Sequence, residues 1–182
     1  MRYFKKLVGE NIYLSPINLE DYEKYTEWIN DLDISLKLGN AHQIYTLQKE
    51  QEILEDISEN SFAIILKEND KLIGNCGLID VEQVTRKAEL GIFIGEKEYW
   101  NMGYGTEAIT LLLDYGFNLL NLHNIMLEVF AFNKRAIECY KKIGFKEIGR
   151  RREAREIAGK KYDEVFMDIL ATEFTEGKIS LE

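Results

Sequence analysis

The sequence predicts an α+β fold: one domain with a mixed, mostly antiparallel sheet and helices on both faces. Three observations carry this. Strand-like and helical segments interleave along the chain, the longest helical segment is apolar nearly all round, and a single proline among 182 residues leaves few breaks between independent domains. The domain is expected to span residues 1–175, with 176–182 as a short flexible tail.

A short strand over residues 11–14 comes first, followed after Ser15-Pro16 by an amphipathic helix begun at Asn18. Leu19, Tyr22, Tyr25, Trp28 and Ile29 recur at helical spacing, and Asn30 and Asp31 mark its end. Residues 33–45 read as irregular and polar. Thr46 is the N-cap of a second helix, with Leu47, Leu54 and Ile57 on one side and glutamates and lysines on the other. From Ser61 the pattern turns to strands, over 61–67, 71–79 and 87–94, an antiparallel meander with polar turns. A glycine-containing loop then leads into a helix over 104–120. Its apolar residues, from Ala108 and Ile109 to Phe117 and Leu119, place it in the interior. A strand over 124–131, a helix over 133–143 stopped by Gly144, and two strands beginning at Phe145 and Tyr162 on either side of Gly159 complete the chain.

A formal charge of -9 argues against a general duplex-binding surface, so no nucleic-acid partner is expected and cationic partners are mildly favoured. Cys76, Cys139, His42 and His123 show no metal-ligand spacing, so no metal is expected. No apolar run reaches the ~18 residues a membrane span needs, and the first residues lack the pattern of a signal peptide. Two isolated cysteines fit a reduced compartment, and the cytoplasm is the expected location.

The segment from Tyr99 to Ala108 follows a strand and opens the apolar helix, so backbone amides and the positive end of the helix can face an anion together. Gly103 and Gly105 let a pyrophosphate come close to the chain. Two other readings fit the same glycines. They match a dinucleotide fingerprint, with Glu128 downstream to hold a ribose, and they also suit a tight helix start. Against the dinucleotide reading, a meander precedes the loop and only one further strand-helix unit follows it.

Three segments, 89–108, 127–140 and Gly144-Phe145, resemble the GNAT superfamily of N-acetyltransferases, above all the branch holding the Rim-type ribosomal-protein acetyltransferases and the spermidine acetyltransferases. The resemblance covers about residues 60–170. It implies a sheet splayed in its middle, with acetyl-coenzyme A between the 87–94 and 124–131 strands. It further implies that amides of the Met102, Gly103, Tyr104, Gly105 and Thr106 loop hold the pyrophosphate and that backbone groups of Ile92, Phe93 and Ile94 pair with the pantetheine arm. Asn133 would hydrogen-bond the arm from the other side, and Tyr140 would lie near the sulfur. Lys134, Arg135, Lys141 and Lys142, at the start and end of that helix, are candidates to meet the adenosine phosphates; the alternative is an ordinary basic helix face. Asn101 and Met102 stand where the family usually has glycine and a basic residue, which leaves more of the phosphate binding to backbone donors.

Direct transfer from the thioester to an amine needs a neutral amine, a proton acceptor and help for the departing thiolate. At neutral pH, deprotonation costs about 4.6 kcal/mol for an alkyl amine of pKa ~10.4 and about 1.4 kcal/mol for an α-amino group of pKa ~8. Glu89 is the candidate base, acting through a water, because strand alternation sets Glu89, Gly91 and Phe93 on one face; a solvated or salt-bridged glutamate is the alternative. Tyr140 is the candidate acid for the thiolate, or else a core aromatic. Cys139 has no histidine partner in a recognisable arrangement and reads as a small hydrophobe. His42 and the acidic group Glu27, Asp31, Asp33, Asp80 and Glu82 are weaker candidates for contact with a cationic acceptor, and Arg150, Arg151, Arg152 and Arg155 for contact with an acidic partner.

The expected activity is N-acetyl transfer to a primary amine, a peptide or protein N-terminus ahead of a polyamine of the spermidine type. A non-catalytic coenzyme-binding module and a nicotinamide or flavin nucleotide enzyme are the other classes. The sequence does not set the oligomeric state, and a homodimer is one expectation.

Overall fold

The computed structural model describes residues 2–57, 59–175 and 177. Its strands are β1 (Leu7–Val8), β2 (Ile12–Pro16), β3 (Ser61–Leu66), β4 (Leu72–Glu82), β5 (Lys87–Ile94), β6 (Asn124–Phe130), β7 (Lys146–Ile157) and β8 (Lys160–Leu170). Its α-helices are α1 (Tyr22–Asn30), α2 (Leu32–Leu38), α3 (Leu47–Glu55), α4 (Tyr104–Asp114) and α5 (Lys134–Ile143). Hydrogen bonding orders the strands β1-β2-β3-β4-β5-β6-β8-β7. The β5–β6 pair is parallel, whereas β1–β2, β2–β3, β3–β4, β6–β8 and β7–β8 are antiparallel. The chain groups into two compact units, Met1–Ile79 with Gly91–Leu112, and Asp80–Leu90 with Leu113–Glu182.

In the first unit, β3 is buried at all six positions, as its continuous Phe-Ala-Ile-Ile-Leu run demands. Tyr13, Tyr25, Trp28, Ile34, Leu54, Ala63 and Ile65 form the core, with Phe93 and Trp100 packed at its margin. Tyr25, Trp28 and Phe93 meet edge to face with centroids 5.4, 6.0 and 6.4 Å apart, the arrangement that aromatic quadrupoles favour.

Caps explain the helix boundaries. Asn18 accepts the Glu20 N–H and starts a short 3-10 turn that leads into α1. Thr46 accepts the Lys49 N–H at 3.2 Å and starts α3, as its sequence position implies. Residues 33–45 are not all irregular: α2 occupies their first half. Asp31 closes α1 and also caps α2 through the Asp33 N–H, and Gly39 at φ 80 ends it, so one polar residue serves two helices and hides the second. The buried face of α3 also differs from expectation. Glu50 is 3% exposed while Leu47 is 49% exposed, which brings a glutamate inward.

The long apolar helix is α4, which continues through a π-turn at Tyr115–Leu119. Ala108, Ile109, Leu112 and Leu113 are buried as predicted, but the widened last turn leaves Leu119 exposed.

In the second unit, register sorts the side chains. Ile125, Leu127 and Val129 of β6 lie opposite Ile169, Met167 and Val165 of β8, and all six are buried. Met126, Glu128 and Phe130 lie opposite Asp168, Phe166 and Glu164 on the other, more polar face. Helix α5 is closed by Gly144 at φ 117, whose N–H returns to the Tyr140 and Lys141 carbonyls. Of the expected tail, residue 176 and residues 178–182 lie outside the described residues.

Candidate active site

In the first unit, the turn between β5 and α4 carries a row of backbone donors. Asn101 at φ 65 and Gly103 at φ 87 both take the left-handed conformation, which glycine adopts freely and asparagine tolerates better than most residues. The first hydrogen bond of the helix turn is Glu107 N–H to Gly103 O at 3.0 Å. The amides of Met102, Gly103 and Gly105, which precede it, donate to no backbone carbonyl among the described residues. A Cβ at Gly103 would meet nothing within 4 Å, and one at Gly105 would meet only Ile94 Cγ1 at 3.9 Å. Donors at a helix start, with backbone open to close approach, fit the diphosphate of coenzyme A.

The strand that leads into this turn is less uniform than the sequence suggests. A Cβ on Gly74 would sit 2.2 Å from Phe93 O, so the Phe93 carbonyl points at β4. Ile92 and Ile94 alternate to the opposite edge, where the Trp100 indole already donates to Ile94 O at 2.8 Å. Glu96, just past the strand, accepts Trp28 Nε1 at 3.0 Å and pairs with Lys24 at 2.6 Å and Lys71 at 2.9 Å. Burial raises its carboxyl, but these partners outweigh burial and hold it down at about 2.

In the second unit, β5 pairs with β6 from Lys87↔Asn124 to Glu89↔Met126, while β6 pairs with β8 along its whole length. Glu89 therefore shares the polar face of β6 with Glu128, and Glu164 lies diagonally beyond on β8. No cation pairs with Glu89 among the described residues. Burial and then the charges of Glu128, Asp80 and Glu164 push its carboxyl above the ordinary value. Glu128 is raised too, first by burial and then by Glu164, which is tied to Arg151 at 2.8 Å.

Helix α5 carries the remaining predicted residues. Asn133 is its N-cap: Oδ1 accepts the Ala136 N–H at 3.4 Å, and Nδ2 makes no hydrogen bond among the described residues. Arg135 is exposed and lowers the Tyr140 pKa slightly. Tyr140 is half-buried, packs on Phe145 with ring centroids 5.8 Å apart, and its hydroxyl bonds no protein group among the described residues. Burial first, then Cys139, pushes its phenol well above the ordinary value, so it stays protonated across the physiological range.

The arginines of β7 are largely committed to local partners. Arg150 pairs with Glu147, Arg151 with Glu164, and Arg155 lies 5.9 Å from the Phe130 centroid. His123 is held through its backbone by Arg86 and Ala171, and His42 is exposed on the loop after α2. Among the described residues no group of three or more histidine, cysteine or acidic side chains is placed to hold a metal. Sequence reasoning missed Glu96 because Lys24 and Lys71 lie far from it in the chain, and missed the Trp100 indole because its acceptor is a backbone carbonyl, which residue identity does not mark.

Residues 11–146 match the acetyltransferase (GNAT) domain family. The chain is 28% identical over 175 residues to the N-acetyltransferase p20 of Bacillus licheniformis, covering 92% of this chain and 97% of that one. It is 34% identical over 174 residues to the spermidine N(1)-acetyltransferase of Vibrio cholerae, covering 96% and 89%. The crystal structure of spermidine N-acetyltransferase from Vibrio cholerae in complex with CoA and spermine superposes with a TM-score of 0.80 at 28% identity, covering 91% of this chain and 98% of that one. This chain belongs to the GNAT acetyltransferase family and is an acetyl-coenzyme A dependent N-acetyltransferase.

Proposed function

We propose that the acceptor is an alkyl primary amine of the polyamine type, ahead of the peptide or protein N-terminus that the sequence favours. The observation that carries this is Glu89, a half-buried carboxylate with no cation partner, set beside Glu128, Asp80 and Glu164. A raised base is worth most to an acceptor whose deprotonation costs about 4.6 kcal/mol, and neighbouring carboxylates suit further ammonium groups on the same molecule. The spermidine acetyltransferases among the relatives point the same way. An N-terminus is the second reading, supported by Arg152, exposed on β7 with no carboxylate partner among the described residues, which would suit an acidic peptide.

The coenzyme supplies an acetyl group already activated as a thioester. On this reading, amides of the Met102 to Thr106 turn, Tyr104 included, hold its diphosphate, and Arg135 adds a positive charge. Ile92 offers its backbone groups to the pantetheine arm and Ile94 its N–H, since Trp100 holds the Ile94 carbonyl, while Phe93 contributes its position in the core rather than its carbonyl. Asn133 donates through Nδ2, the half of its amide that helix capping leaves available. Glu89 takes the proton of the attacking amine through a water, and the Tyr140 hydroxyl donates to the departing sulfur. Residues 1–175 act as one acetyltransferase domain, a reading supported by β4, β5 and α4 each running from one compact unit into the other. A cytoplasmic location is part of the same proposal, supported by two cysteines outside any disulfide.

The test is thiol release from acetyl-coenzyme A with spermidine, short N-terminal peptides and small amines offered side by side. The highest kcat/KM is expected for spermidine. A peptide preference would reverse the order of the two acceptors, and silence across the panel would remove the reading altogether.

A further inference from the structure

Glu107 is the one carboxylate in the first turn of α4, directly after the amides assigned to the diphosphate. A negative charge there opposes an anion unless it is directed elsewhere. It is directed at the turn between β1 and β2. The Glu107 carboxylate accepts the Asn11 backbone N–H at 2.9 Å, the Ile12 N–H at 3.4 Å and Asn11 Nδ2 at 3.2 Å. Gly9 makes room for this: a Cβ there would stand 2.1 Å from Glu107 Oε1. The turn itself is firm, with Gly9 N–H donating to Ile12 O at 2.9 Å and Lys67 Nζ to Gly9 O at 2.9 Å.

We infer that Glu107 is a positioning residue for coenzyme binding: by accepting three N–H groups of the β1–β2 turn it pins the first turn of α4 and holds its own charge away from the Met102, Gly103 and Gly105 amides. The inference rests on the proposed diphosphate role of that turn. Its consequences follow from the geometry. Without the carboxylate, the helix start loses this side-chain tether to the β1–β2 turn, and the amides lose their preset direction. With the carboxylate displaced but present, its charge is released toward the bound anion. Both changes act on coenzyme affinity, and neither touches the amine or the proton transfers.

The experiment measures the Kd of coenzyme A by calorimetry and both KM values with kcat, for the wild type and for Glu107→Ala, Glu107→Gln and Gly9→Ala. Glu107→Ala is expected to raise the coenzyme Kd and the acetyl-coenzyme A KM about tenfold, with kcat and the amine KM within about twofold. Glu107→Gln, which keeps a carbonyl acceptor of the same shape, is expected to recover to within about threefold of wild type. Gly9→Ala, which leaves Glu107 in place but forces it off its donors, is expected to match Glu107→Ala; it carries the same prediction if the alanine variant fails to fold. A coenzyme Kd within about twofold of wild type in the folded variants, or a fall in kcat and amine affinity in step with it, overturns the inference. A wild-type protein that binds no coenzyme A overturns the diphosphate reading itself, a result distinguishable from the first.

Discussion

Glu89 lies in β5 and Glu96 just past its end, and their surroundings drive them in opposite directions. Glu96, with 14% of its side chain exposed, is gripped by Lys24, Lys71 and the Trp28 indole and holds its charge down to about pH 2. Glu89 has burial and three carboxylates around it and no cation, so its proton affinity rises. The same residue type is a brace in one place and, in the proposed mechanism, a proton acceptor in the other. Partners decide the role, because an opposite charge favours the ionised form and desolvation or a like charge disfavours it.

The largest expected consequence is on turnover. Glu89→Gln should lower kcat/KM for spermidine by about 10²–10³ without lowering the melting temperature, as steady-state kinetics and thermal melts would read. A matching loss of stability would give Glu89 the structural role of Glu96.

Glu96→Gln should do the reverse. Breaking its ion pairs is expected to cost about 2–3 kcal/mol and lower the melting temperature by about 5–10 °C, leaving kcat of the folded enzyme within about threefold. The sign with pH follows from the depressed folded pKa: this stability is present above the ordinary glutamate value and is lost as pH falls toward about 2. The gap between wild type and variant should therefore narrow steadily in melts as pH falls from about 5 toward about 2.

Tyr140→Phe keeps the ring that packs on Phe145 and removes the hydroxyl. A drop of about tenfold in kcat is expected, smaller for acceptors whose chemistry is limited by amine deprotonation rather than by thiolate departure.

A third carboxylate gives the smallest effect. Glu50 is buried on α3, its Oε2 has no hydrogen-bond partner among the described residues, and burial raises its pKa. A raised folded pKa means stability that is full below the ordinary glutamate value and lost as pH rises through the folded one. Glu50→Gln should thus melt about 1–3 °C above wild type at pH 8, with the gap shrinking toward pH 4.

Much of this was legible in the residues. The buried meander, the apolar helix after a glycine turn, Thr46 and Gly144 as caps, and the donor row at Met102 to Gly105 all follow from local pattern, because caps, alternation and positive φ are properties of neighbours in the chain. What escaped depends on one residue doing double duty, on an inward-turned face, or on residues far apart in sequence. Asp31 serving two helices hid α2, and the inward turn of Glu50 contradicts the polarity of its face. The contrast between Glu89 and Glu96 was equally out of reach, since it rests on Lys24 and Lys71 for one and on Glu128 and Glu164 for the other.

The most direct test of the account is the pH dependence of kcat/KM for wild type and Glu89→Gln, with spermidine and with a short N-terminal peptide as acceptors. The account predicts an acid limb in the wild type, set by a group above the ordinary glutamate value, its disappearance in the variant, and a larger loss on spermidine than on the peptide. An acid limb that survives in Glu89→Gln, or equal losses on the two acceptors, would contradict it.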